Sequence, residues 1–74
     1  NNTILIVHYD TYRDNIWILN NEELLFKSSI GNVWKSINFF NLGINSYRDI
    51  INIGSNLNYI ILQLKNNHHK SSDI

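Results

Sequence analysis

The apolar residues of this chain arrive in short runs, and many of the gaps between runs are filled by Asn, Gly or Ser. Such a pattern leaves little room for long helices. A run such as Ile4–Val7 also falls far below the roughly 20 apolar residues that a membrane helix needs. Thr3–Asp10 reads TILIVHYD, β-branched and apolar on both faces, with Ile4 and Ile6 on one side and Leu5 and Val7 on the other, as in a strand covered on both sides. Ile16–Leu19 is a second run and contains Trp17. Val33–Phe40 (VWKSINFF) and Tyr59–Lys65 (YIILQLK) continue the series, Asp49–Ile53 reads as a short strand or the end of a helical turn, and turns are expected at Gly31-Asn32 and Gly54-Ser55-Asn56. Asn41–Arg48, with Gly43, reads as a loop, and the polar stretch 66–74 as a frayed tail.

One segment carries two opposed signals. As a hairpin, Ile16–Leu19 pairs with Glu23–Ser28 across Asn20-Asn21, where Asn tolerates the left-handed backbone of a tight turn. As a helix, Asn21 is the N-cap, Glu22 and Glu23 form the first turn, and Gly31 is the stop. That helix would have only about two turns, too few to hold without strong packing. The hairpin makes the chain all-β, with about six short antiparallel strands in a sandwich, barrel or propeller. The helix makes it a small α+β module with a helix near Asn21–Ile30.

Composition narrows the function classes. Six Lys/Arg balance six Asp/Glu, so no basic excess exists to hold a nucleic-acid backbone. There is no Cys, hence no disulfide scaffold and no thiolate metal site. Fourteen Asn and thirteen Ile, with no Ala, Pro or Met, fit an AT-rich genome, so Asn richness carries little functional weight. At 43% apolar and 16% charged, the chain has the balance of one that buries a core. A domain of 74 residues is marginal alone. The reading is therefore a single domain or a fragment of a larger β-propeller. A weak internal match, Thr3–Val7 with Tyr59–Leu64, points the same way.

The segment from Leu24 to Ile37 resembles an Asp-box hairpin, Ser-x-Asp-x-Gly-x-Thr-Trp/Phe, preceded by an apolar strand and followed by Lys-x-Ile. That motif occurs in sialidases and in sortilin-type sorting receptors. Gly31, Trp34 and the Lys35-x-Ile37 continuation match. Lys27 stands at the Ser position, Ser29 at the Asp position and Val33 at the Thr position. In such a turn the Gly takes a backbone conformation other residues resist, the Asp accepts from turn amides, and the aromatic anchors the hairpin. Ser29, Gly31 and Trp34 are thus scaffold residues. The resemblance implies one propeller blade plus part of the next, in a protein-sorting receptor of the secretory or endosomal pathway that binds protein or peptide cargo. The sialidase branch would need an arginine cluster, a tyrosine nucleophile and several carboxylates; only Arg13 and Arg48 are present.

No catalytic set, metal site or cofactor emerges from the remaining residues, and the chain reads as a binding protein, not an enzyme. His68-His69, with His8 distant, has no third ligand at metal spacing. Glu22-Glu23 would face opposite sides of a strand, which spoils paired-carboxylate chemistry. Ser28, Ser29 and Ser36 lack a nucleophile elbow. Trp17 and Trp34 are expected in the core. Tyr12 and its neighbour Arg13, in a polar loop, are the candidate exposed binding contacts.

Overall fold

A computed structural model describes residues 3–65 and 69–72. The chain is all-β. Strands β1 (Ile4–Asp10), β2 (Asn15–Asn20), β3 (Leu24–Ser28) and β4 (Lys35–Ile37) form one antiparallel sheet in sequential order. Strands β5 (Ile50–Ser55), β6 (Ile60–Leu64) and β7 (His69–Ser72) form a second. Two 3₁₀ turns, Phe39–Leu42 and Tyr47–Asp49, lie between the sheets in sequence. Among the described residues no helix is long and apolar enough to cross a membrane.

Glu22–Ile30 does not form a helix. Leu19 pairs with Leu24, Ile18 with Leu25 and Trp17 with Phe26, which builds the hairpin. The short helix would have left its apolar residues on a narrow stripe, whereas the hairpin sends Leu24 and Phe26 into the core beside Leu19 and Trp17. The turn is not made by left-handed Asn, because Asp14 is the only non-glycine residue with positive φ among those described. Instead the Asn20 carboxamide oxygen accepts from the amides of Glu22 and Glu23, 2.8 Å each, while Asn20 N–H donates to the Glu23 carbonyl.

The expected strand Val33–Phe40 shrinks to three residues. Asn38 ends it, turning its side chain onto Phe40 N–H to cap the 3₁₀ turn. Gly43 closes that turn in the left-handed conformation, φ 75°, where its N–H bonds the carbonyls of Phe39 and Phe40. Gly54 and Ser55, expected as a turn, belong to β5. The turn falls on Asn56, whose side chain accepts from Asn58 and Tyr59. The second sheet opens at Ile50, so the sequence match of Thr3–Val7 to Tyr59–Leu64 equates a first strand with a middle one. His69–Ser72, expected to fray, pair with β6; residues 66–68 and 73–74 lie outside the described residues.

The core lies between the sheets. Alternation along the strands sends Ile6, Trp17, Leu19, Leu24, Phe26 and Ile37 inward from the first sheet. They meet Ile50, Ile53, Ile60 and Leu62 of the second, with Phe39 and Ile44 closing the gap from the connection. Two cross-strand rows on the inner face of the first sheet run through all four strands. One, Ile6–Leu19–Leu24–Ile37, is wholly apolar; the other, His8–Trp17–Phe26–Lys35, has a polar residue at each end. Trp17 and Phe26 stack at 4.5 Å and 16°, an offset pairing that adds about 1 kcal/mol to burial alone.

Candidate functional site

The β1–β2 turn holds Tyr12 and Arg13. β1 alternates Ile6, His8 and Asp10 inward, so Asp10 reaches the end of the sheet with its side chain fully buried. Its carboxylate accepts from the amides of Tyr12 (3.0 Å) and Arg13 (3.4 Å) and pairs with the Arg13 guanidinium at 3.0 Å. Burial pushes the Asp10 carboxyl up, but the Arg13 pair and the two amides outweigh it and hold it below the usual carboxylate range. Arg13 also donates to the carbonyls of Asn56 and Leu57 in the β5–β6 turn. Its guanidinium therefore clasps the two sheets together. Tyr12 joins this network through its backbone amide alone, and the residue is 56% exposed. Asp14 takes φ 55° and accepts from the Tyr9 hydroxyl. That bond and one from the Ser29 side chain lower the Asp14 carboxyl, and Asp14 in turn raises the Tyr9 phenol.

The β3–β4 connection holds Ser29, Gly31 and Trp34. Ser29 N–H donates to the Asp14 carbonyl, and Gly31 N–H donates to the Ser28 carbonyl, which closes the turn. Gly31 has no positive φ, and a Cβ there would stand 3.4 Å from that of Ser28, so the turn does not rely on glycine's freedom. Trp34 is 43% exposed and lies beneath the Lys27 ammonium, 5.6 Å from its ring centre, instead of anchoring a core. The organising group is Lys27. Its Nζ donates to the carbonyls of Gly31 (2.9 Å), Ser28 (3.0 Å) and Ser29 (3.5 Å). An ammonium bonding carbonyls takes the place that a carboxylate bonding amides occupies in an Asp-box. Lys27 stands at the motif's Ser position, so the sequence marked a departure there without showing its purpose.

A cleft of about 310 Å³ opens beside this turn. Phe26 and Val33 give it apolar walls, Asn15 and Asn32 polar ones, and Lys27 and Lys35 positive charge. Lys35 lies 5.9 Å from the Phe26 ring.

A third pair escaped the sequence reading. His8 Nε2 and Ser55 Oγ lie 2.9 Å apart, joining β1 to β5. That is nucleophile–base distance, but the carboxylate that could orient the imidazole, Asp10, is engaged by Arg13 and two amides. Only period-two alternation, placing His8 on the inward side with Ile6, could have flagged it. Among the described residues no three His, Asp or Glu gather as metal ligands. His68 lies outside the described residues.

No protein-family model, curated protein or solved structure matches this chain.

Proposed function

We propose that the chain is a binding segment of a larger β-propeller, made of one blade and part of the next, and that it works by holding protein or peptide cargo. The observation that carries this reading is the outer face of the first sheet. Leu5, Val7 and Tyr9 on β1 are 46%, 63% and 49% exposed, and Val7–Ile18–Leu25 runs across three paired strands behind them. A lone exposed Leu is ordinary, but a contiguous apolar sheet face calls for a covering surface. In a propeller each four-stranded blade packs a neighbour on either face. Two sequential meanders stacked on one core, the first of four strands, fit that arrangement. The resemblance of Leu24–Ile37 to an Asp-box hairpin points to a sortilin-type sorting receptor, which would act in the secretory or endosomal pathway. Asp10, two residues from His8 on the same strand, is already engaged by Arg13 and two amides, which favours binding over catalysis at the His8–Ser55 pair.

The test is the fluorescence of 8-anilinonaphthalene sulfonate added to the chain. The dye should light up, and replacing Leu5 and Val7 together by Thr should abolish the signal. Near-UV dichroism from the stacked Trp17 should persist, which separates an apolar face from a loosened core. Absence of dye binding to the parent chain would overturn the reading, because no face would then need a neighbour.

A further inference from the structure

We propose that the cleft between the start of β2 and the β3–β4 connection binds a peptide carboxylate flanked by an apolar side chain. This deepens the cargo-binding reading and rests on it. The cleft's volume, about 310 Å³, falls at the lower end for a small-ligand site, enough for one or two residues of peptide. Its charge is one-sided. Lys27 and Lys35 both line it, and no Asp or Glu does. Asp14, which touches the same turn, is occupied by Tyr9 and Ser29.

The two lysines play different parts. All three protons of Lys27 are directed at backbone carbonyls, so it supplies positive charge at a fixed place and no further donor. Lys35 has no hydrogen bond or ion pair among the described residues and keeps its three donors for an incoming group. Its ammonium is held at the edge of the cleft by the Phe26 ring, whose own position is fixed by the stack on Trp17. Anchoring through that ring lowers the entropy lost when Lys35 engages an anion.

One open ammonium above an apolar wall suits a monoanion. A phosphate would call for more donors or an arginine fork, and neither is here. Phe26 and the 72% exposed Val33 meet the apolar side chain next to the carboxylate. Asn15 and Asn32 each offer a donor and an acceptor to the peptide backbone. A chain terminus and an Asp or Glu side chain present the same carboxylate.

Two-dimensional ¹⁵N NMR titration of the whole chain decides the matter, with three probes. They are N-acetyl-Phe-Leu as the free acid, N-acetyl-Phe-Leu amide, and N-acetyl-Phe-Glu amide. The free acid or the Glu peptide should shift the amides of Phe26, Asn32, Val33 and Lys35, and the uncharged amide should not. Whichever charged probe binds tighter identifies the source of the carboxylate. Lys35→Gln should weaken binding about fivefold. Val33→Asp, at a 72% exposed position, should weaken it further by like-charge repulsion. The proposal falls if the uncharged amide binds as well, if Lys35→Gln changes nothing, or if no probe shifts those amides at millimolar concentration. The dye experiment reads Leu5 and Val7 on β1, the far edge of the sheet from β4. A failed peptide titration with a bound dye therefore removes the cleft alone, and the converse removes the propeller reading while leaving a carboxylate-binding cleft.

Discussion

The two long turns of the first sheet solve one problem with opposite charges. At the β1–β2 turn a carboxylate, Asp10, gathers backbone amides; at the β3–β4 turn an ammonium, Lys27, gathers backbone carbonyls. The first is buried and tied through Arg13 to the second sheet, while the second lies at the surface and serves only its own loop. A buried ion left without its partner is costly, whereas a surface ion retains water. The same device therefore holds the tertiary structure at one end of the sheet and shapes only a local surface at the other.

The largest expected effect breaks the buried member. Asp10→Ala leaves the Arg13 guanidinium without its counter-ion and the Tyr12 and Arg13 amides without an acceptor. It should cost about 3–5 kcal/mol by urea unfolding. A loss below 1 kcal/mol would mean that Arg13 holds the sheets through the Asn56 and Leu57 carbonyls alone.

Acid should act on the same residue with a smaller effect. The folded carboxyl of Asp10 lies below its unfolded value of about 3.9. The unfolded chain therefore binds more protons in that range, and stability rises with pH there. The contribution is complete above the unfolded value and is lost as pH falls through the folded one. The melting midpoint should drop on acidification below about pH 4, and Asp10→Ala should flatten that part of the profile. An unchanged acid profile in the variant would assign the dependence to other carboxylates, Asp14 first among them.

The smallest effect belongs to the surface turn. Lys27→Met keeps the aliphatic stem but removes three donors, and should cost about 1 kcal/mol or less. The signature is local: hydrogen exchange at Ser29 and Gly31 should quicken while Trp17 and Leu19 stay protected. If those core amides quicken too, the two turns are coupled through the Ser29–Asp14 bond and the contrast between them fails.

Much of the fold was legible because strand formation here is local. The hairpin at Asn20-Asn21 follows from apolar residues on both sides of a turn, and Tyr12 follows from its place in a polar loop. Trp34 was not legible. Trp17 and Trp34 each follow a β-branched residue in an expected strand, yet one stacks in the core and the other lies beneath a lysine. Pairing decides this, since Trp17 faces Phe26 across a ladder while Trp34 precedes a strand of three residues. Arg13 was expected beside Tyr12 as an exposed binding contact, but its guanidinium is taken up by Asp10, three residues back, and by two carbonyls more than forty positions away in sequence. No local pattern encodes such a contact.

The sequence alone determined most of the strands and the lack of any segment suited to a membrane helix, because strand and turn preferences act between near neighbours; it narrowed the segment after Asn20-Asn21 to a hairpin or a short helix, and the pairing of β2 with β3 decided between them. Tertiary structure alone decided which charges are buried, that His8 meets Ser55, that Lys27 organises a turn, and that a cleft opens beside it. Those outcomes depend on how the sheets approach one another, and so on contacts between residues that the chain keeps far apart.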